Sequence, residues 1–350
     1  MRNPATVHED AIWPYASTLL PSDLETSARQ HAALRRCRGV ASAEALARML
    51  LAYAVTDLSL KSVAAWGKAM GLSEMTPTAF FFRVRDSEAW LSALLGQVLS
   101  SEVAPPKRRF RLRAVDATVI TGPGAKGTEW RAHVLADPAT GRLCAVNLSD
   151  EHGGESYSRY PLQEGDVVLG DRGYAHARGI AAAIRQKAAV VVRINPQTLR
   201  LCTADHSLIR LSTQGRVVRE TGVHEWQLVL PIPPEKRTKS KKSWALDRAV
   251  EWIPVRVVAA RTRNRKIIWV LTTLPGGIAS DLEVMDLYRF RWQIELLFKR
   301  LKSLLDIGAL PSRQGPTARS WILARFLAAA LAQKLLPADG PLSPWGYVLR

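Results

Sequence analysis

A polar stripe runs along the segment around Glu295. Its members are Tyr288, Arg291, Glu295 and Lys302, at offsets of 0, 3, 7 and 14 residues. At about 100° per residue their side chains project to one side of a helix, and the apolar residues between them project to the other. Pairing of opposite charges at spacings of three and four explains part of this stripe, with the charges in solvent. Such pairing explains less well why Tyr288 belongs to the same stripe.

Two aspartates follow short apolar runs and complete a set of three carboxylates. Asp116 is predicted to end a strand in Arg113–Thr118, and Asp171 to end another in Val168–Tyr174. Either one alone is typical of a turn. If the two strands are neighbours, the carboxylates repel each other and one pKa rises, which a divalent ion relieves. With Glu295 they would hold two Mg²⁺ about 3.5–4 Å apart, one activating a nucleophile and one stabilising a leaving oxygen. Mn²⁺ is expected to substitute.

The elements that must position these residues follow from the apolar pattern. Three alternating runs after residue 109 predict antiparallel strands, and a short apolar strand, an alanine-rich helix and another apolar strand follow. This is the order of a ribonuclease H-like fold, a mixed five-stranded sheet with helices. The predicted organisation is a helical DNA-binding region in 1–108, the two parts of the catalytic domain in 109–194 and 281–337, a β-rich insertion in 195–280, and a tail in 338–350.

The N-terminal region contains a possible helix-turn-helix. Gly71 is placed to end one helix, and Thr76 and Pro77 are a cap and a first-turn proline for the next. Arg83 and Arg85 on that second helix are candidate DNA contacts. An ordinary helical hairpin within a bundle is the alternative.

The charge balance favours a polyanionic partner. The 350 residues contain 49 Lys and Arg against 31 Asp and Glu, a net charge of +18, and nucleic acid is the commonest partner of such a field. Three scattered cysteines suggest neither a disulfide framework nor a zinc site. The N-terminus does not resemble a signal peptide, and no apolar run is long enough to span a bilayer. We therefore expect a cytoplasmic, nucleoid-associated protein with no membrane partner.

One segment concentrates the positive charge. The run 235–242 has five basic residues among eight, Lys236, Arg237, Lys239, Lys241 and Lys242. A solvated charge run is the usual interpretation. Because this run lies between β-type segments, contact with the DNA backbone is the competing hypothesis.

Together these motifs resemble the insertion-sequence transposases that carry an Asp-Asp-Glu triad and a Tyr-Arg-Glu-Lys signature, the insertion-sequence-four family type. The signature spacing matches at all four positions from Tyr288 to Lys302, and the surroundings of Asp116 and Asp171 match those of the family aspartates. The β-rich insertion before Glu295 matches the interrupted catalytic domain of the family. The resemblance covers roughly residues 109–310.

The resemblance implies a bacterial DNA transposase that nicks transposon ends, forms and opens a hairpin, and transfers the strand to target DNA as a homodimer. It implies that Tyr288, Arg291 and Lys302 contact phosphates, with Arg172 as a further candidate. It also implies that Trp269 stacks on a base flipped out of the duplex; a tryptophan in a β run is equally typical of a core. The tail after the last predicted helix is short, so we expect either that the C-terminal dimerisation domain of some relatives is absent or that the chain is truncated.

Two other functions remain open. One is an inactive or domesticated DNA-binding protein that has kept the fold, the charge and the three carboxylates. The other is a metal-dependent nuclease of the ribonuclease H type, although such an enzyme needs neither the helical N-terminal region nor the insertion.

Overall fold

The structure, a computed structural model, describes residues 9–56, 58–100, 108–122, 124, 127, 129–234, 245–305, 310–311 and 315–335. Its helices are α1 (Glu9–Ser17), α2 (Leu24–Gln30), α3 (Ala43–Val55), α4 (Leu60–Ala69), α5 (Pro77–Asp86), α6 (Glu88–Ser100), α7 (Ala177–Arg185), α8 (Gly215–Thr221), α9 (Asp281–Phe290), α10 (Trp292–Leu305) and α11 (Gly315–Leu335). Its strands are β1 (Arg111–Ile120), β2 (Trp130–Asp137), β3 (Arg142–Asp150), β4 (Asp166–Gly170), β5 (Ala189–Arg193), β6 (Leu201–Cys202), β7 (Leu208–Ile209), β8 (Val223–Ile232), β9 (Glu251–Arg261) and β10 (Ile267–Thr272).

Within the described residues six helices precede β1, and three of them, α3, α4 and α5, begin at a side-chain cap. The Thr76 hydroxyl accepts from the backbone N–H of Ala79, and Pro77 occupies the first turn of α5. Gly71 follows α4 with φ +68, a left-handed conformation that glycine adopts without strain. The helices bury large apolar side chains such as Trp90 and Phe80, and α3, α5 and α6 pack on α11 near the end of the chain.

The first five strands of the sheet have the predicted topology. Their order is β3-β2-β1-β4-β5, with β1, β2 and β3 antiparallel and β4 and β5 parallel to β1. Strand β4 is buried along its whole length, which suits a strand covered by helices on both faces. This order places the end of β4 beside the middle of β1, where the pairing of these two strands stops.

The insertion continues this sheet instead of standing apart from it. Strand β10 pairs antiparallel with β5, and the sheet extends through β9, β8, β6 and β7 to ten strands. The predicted five-stranded sheet is therefore one half of a larger one. The backbone groups at the free side of β5 cause the difference, because an edge strand pairs readily with any extended segment that reaches it. Helix α8 inside the insertion was not predicted.

Two apolar layers cover the sheet. Helices α9, α10 and α11 pack with the N-terminal helices on the layer that contains Ala114 and Leu169, whereas α7 covers the layer that contains Val115 and Val168. The single helix predicted around Glu295 is divided at Arg291 into α9 and α10, although Arg291 keeps helical dihedral angles. Within the described residues, no helix has the length and apolar character needed to cross a membrane.

Candidate active site at the edge of strands β1 and β4

Asp116 lies at the point where β1 loses its parallel neighbour. Pairing with β4 stops at Ala114, while pairing with β2 continues from Asp116 to Ile120. Asp116 is therefore in the middle of a strand, and the prediction that it ends one is wrong, because the long antiparallel partner β2 extends β1. Side chains alternate along a strand, so Asp116 shares the face of Ala114, on which α10 packs. Its carboxylate accepts from the backbone N–H of Ala117 at 2.8 Å.

Asp171 comes directly after the last residue of β4. Its carboxylate accepts from the backbone N–H of Gly173 at 2.8 Å and caps a single helical turn from Arg172 to Tyr174. The turn fixes the carboxylate at the edge where β1 continues past β4. Asp171 therefore lies next to Asp116, as the predicted strand order requires.

Glu295 approaches from helix α10, in its first turn. Its carboxylate accepts from Arg291 at 2.5 Å, and the Arg291 guanidinium also lies 5.7 Å from the centre of the Tyr288 ring. The side chain of Arg291 is 15 % exposed, whereas that of Glu295 is 43 % exposed. The pairing at a spacing of four is thus present, with the arginine more enclosed than the glutamate.

An open cleft of about 630 Å³ joins the strand to the helix. It is lined by Asp116, Ala117, Thr118, Glu295, Phe298, Lys299 and Lys302. Lys302 was expected there and Lys299 was not. The sequence carried a signal for Lys299, because it lies four residues after Glu295 and so on the same helical face. The cleft therefore combines carboxylates with two lysines.

The electrostatics of Asp116 reflect its neighbours. Its pKa is raised from the ordinary 3.8 to about 6, first by burial and then by the negative charges of Asp171 and Glu295, while the N–H of Ala117 and the charge of Arg291 act in the opposite direction. Glu155, in the loop before β4, also has a raised pKa, through burial and then through Asp171 and Asp116. No sequence pattern indicated Glu155, since nothing local links it to this edge.

The three carboxylates suit a hard divalent cation chemically, although in the structure they are not arranged to coordinate one together. Carboxylate oxygens are the ligands that Mg²⁺ takes from proteins, and the raised pKa of Asp116 reflects its burial first and then the negative charges of Asp171 and Glu295. In the part of the chain that the structure describes, no three His, Cys, Asp or Glu side chains are placed to hold one ion. Glu295 is instead bound to Arg291, so sharing an ion with the aspartates requires that carboxylate to turn.

Trp269 occupies a different place from the one expected for base stacking. It is 7 % exposed, packs in the layer under α7, and stacks against Trp226 with ring centres 5.3 Å apart. That layer is on the face of the sheet opposite α10. The structure therefore favours the interpretation of Trp269 as a core residue. An exposed aromatic residue close to Glu295 in the sequence is Trp292, which is 52 % exposed and three residues before it.

Of the other predicted DNA-binding residues, some have exposed side chains and others are bound to groups of the protein. Arg172 is exposed beside Asp171. Arg83 donates to the carbonyls of Ala33 and Arg36, so it is a structural anchor and its predicted DNA contact is not supported. Arg85 is an exposed residue paired with Asp86. The basic residues at 236, 237, 239, 241 and 242 lie outside the described residues.

Comparison with known proteins identifies the family of this chain. Residues 107–331 match the family described as the transposase DDE domain. The putative transposase InsL of insertion sequence element IS186A from Escherichia coli strain K12 is 31 % identical over 339 residues, 90 % of this chain and 91 % of that protein. The transposase of insertion sequence element IS421 from Escherichia coli is also 31 % identical, over 340 residues and the same shares of both chains.

The chain therefore belongs to the DDE transposase family. Among solved structures, the piggyBac transposase in a cryo-EM synaptic complex with hairpin DNA is similar over 95 % of this chain and 78 % of that chain, with a TM-score of 0.43 and 9 % identity. This similarity is too distant to support a conclusion about function.

Proposed function

We propose that this chain is a cut-and-paste transposase of the type with the Tyr-Arg-Glu-Lys signature. It cleaves DNA at the ends of its element and joins those ends to target DNA, acting as a homodimer. The observation that carries the proposal is the meeting of Asp116, Asp171 and Glu295 at one sheet edge in a chain of the DDE transposase family.

Asp116, Asp171 and Glu295 are the residues that would hold two Mg²⁺ ions. Bound there, such ions activate a water or 3′-hydroxyl nucleophile and stabilise the leaving oxygen of an in-line displacement at phosphorus. The protein's own contribution is orientation. The N–H groups of Ala117 and Gly173 fix the two aspartates, and α10 carries Glu295 to the same cleft.

Arg291 links the entry of DNA to the freeing of Glu295. Its guanidinium binds the Glu295 carboxylate and lies close enough to lower the pKa of Asp116. A phosphate group competes well for a guanidinium, because both partners can form two parallel hydrogen bonds. An incoming DNA phosphate at Arg291 therefore releases the Glu295 carboxylate toward the aspartates. Lys299 and Lys302 line the same cleft, and Tyr288 lies beside Arg291; these three residues bind neighbouring phosphates.

The hairpin route requires a base to leave the stack, since the backbone must bend sharply. Trp292 is the residue that we assign to hold that base, in place of Trp269. Its exposed ring stands beside Arg291 at the start of α10, and stacking of a base on an aromatic ring contributes about 1–3 kcal/mol.

Cleavage of a duplex that carries the terminal repeats of the element tests the proposal. Asp116→Asn, Asp171→Asn and Glu295→Gln should each abolish nicking while retaining DNA binding. Glu220→Gln, on the exposed face of α8, is the matched control and should cleave normally. Trp292→Ala should spare the first nick and slow hairpin formation by about 10- to 100-fold. Nicking by Asp116→Asn would contradict the proposal.

The same assay separates the two alternative functions. An inactive DNA-binding protein binds the repeats and never nicks them, whichever divalent ion is supplied. A nuclease of the ribonuclease H type cleaves duplexes or hybrids without the repeats as fast as those that carry them.

A further inference from the structure

The loop before β4 is anchored to the Asp171 segment by a histidine. His176 caps α7 by accepting from the N–H of Gly179 at Nδ1, 3.0 Å away, so its Nε2 carries the proton. That Nε2 donates to the backbone carbonyl of Glu155 at 2.8 Å. Glu155 is therefore held at a defined position beside the turn that follows Asp171.

The Glu155 carboxylate then occupies the space left by a missing side chain. A Cβ atom added to Gly173 would lie 1.5 Å from Oε2 of Glu155 and 3.2 Å from Oδ1 of Asp171. The two carboxylate oxygens are thus less than about 5 Å apart, the range in which like charges act strongly on each other. A glycine at position 173 is what allows Glu155 to approach Asp171.

A buried hydroxyl at the same place indicates that the protein alone does not complete this region. Tyr157, two residues after Glu155, is fully buried, and its hydroxyl approaches Gly170, whose added Cβ would lie 2.3 Å from it. Among the described residues that hydroxyl has no hydrogen-bond partner. An unpaired buried hydroxyl costs free energy, and a metal-bound water beside Asp171 would satisfy it.

We propose that Glu155 is a fourth carboxylate of this site, a ligand, directly or through one water, of the divalent ion beside Asp171. The inference rests on the proposed function, since it assumes that Asp171 binds a divalent ion. It adds a residue outside the Asp-Asp-Glu triad and explains why Gly173 and His176 flank that aspartate.

Binding of Mn²⁺ to the full chain without DNA, followed by electron paramagnetic resonance, tests this role apart from cleavage. Glu155→Gln should weaken binding of an ion by about 10- to 100-fold, the usual effect of losing a group that supports a metal site. Gly173→Ala should act in the same direction, because the added methyl group displaces the Glu155 carboxylate. Glu151→Gln, an exposed carboxylate of the same loop, is the matched control and should bind like the wild type.

Three outcomes decide between the possibilities. Weaker Mn²⁺ binding in Glu155→Gln, with a metal-free unfolding temperature equal to or above that of the wild type, supports the role, because a repelling charge has been removed. Unchanged binding in Glu155→Gln with lost binding in Asp171→Asn overturns the Glu155 inference and leaves the proposed function standing. Unchanged binding in Asp171→Asn overturns the metal site itself, and with it the proposed function.

Discussion

Each carboxylate of the triad is oriented by a donor close to it in the sequence. Backbone N–H groups hold Asp116 and Asp171, and Arg291 holds Glu295. The segment of Glu155 is held by the His176 side chain, which donates to the backbone carbonyl of Glu155. Orientation of several like charges costs stability in the metal-free protein, since burial and mutual repulsion disfavour ionised carboxylates. The arrangement of these carboxylates should therefore affect the free energy of unfolding as well as the activity.

The pH dependence of unfolding should expose this cost. The pKa of Asp116 is raised to about 6, so its contribution to stability is present at low pH and is lost as pH rises through 6. The pKa of His133, buried between strands, is lowered from 6.5 to about 4, mainly by burial; its contribution is present above pH 6.5 and is lost as pH falls toward 4. Between pH 7 and pH 5 the two groups therefore change the free energy of unfolding in opposite directions.

Single variants should separate the two contributions. Between pH 7 and pH 5, metal-free Asp116→Asn should lose about 1 kcal/mol more unfolding free energy than the wild type, because it lacks the gain from protonation. His133→Gln should lose about 2 kcal/mol less. Urea unfolding at several pH values measures both differences. Parallel pH profiles for all three proteins would show that these groups are not perturbed.

The sequence predicts contacts that are local along the chain and fails for those that depend on packing. Glu295 and Arg291 lie four residues apart on a helix, so their pairing follows from helical geometry alone. Glu155 reaches the site only because the sheet places its loop over Gly173. The burial of Trp269 likewise depends on β8 and α7, which no local pattern connects to it.

At the scale of elements, one buried arginine fixes the insertion to the helices of the site. Arg256 on β9 is 5 % exposed and donates to the Glu225 carboxylate on β8, to Asp281 in the first turn of α9, and to the carbonyls of Leu274 and Ala279. Helix α9 leads directly into α10, which carries Glu295. The arginine therefore sets where the signature helix begins relative to the extended sheet.

Removal of that cation should destabilise the whole domain. Arg256→Met leaves two carboxylates without their buried partner and should cost about 3–5 kcal/mol of unfolding free energy. Arg216→Met is the matched control, because Arg216 pairs with Glu220 on the surface of α8, and it should cost less than about 1 kcal/mol. Equal losses in the two variants, measured by urea unfolding, would show that the buried network does not anchor α9.

At the scale of the whole molecule, the first five strands and the insertion form one sheet. The five strands have their counterparts in the sequence pattern, whereas the junction between β5 and β10 does not, because backbone pairing at an edge carries no side-chain signature. That junction places β10, β9 and β8 of the insertion in the same sheet as β1 and β4. The basic run 235–242 follows β8 in the sequence, and we expect it to bind the DNA backbone.

The salt dependence of DNA binding should report the contribution of this run. Each phosphate neutralised by Lys or Arg releases condensed counterions and adds about 0.9 to the slope of log affinity against log salt concentration. Replacement of Lys236, Arg237 and Lys239 by Gln should therefore reduce the slope by roughly 2–3. A matched triple replacement of Lys187, Arg216 and Arg219 by Gln, exposed cations that lie before β5 and on α8, should leave it unchanged. Equal reductions in the two triple variants would mean that charge acts through its total and not through a DNA-binding surface.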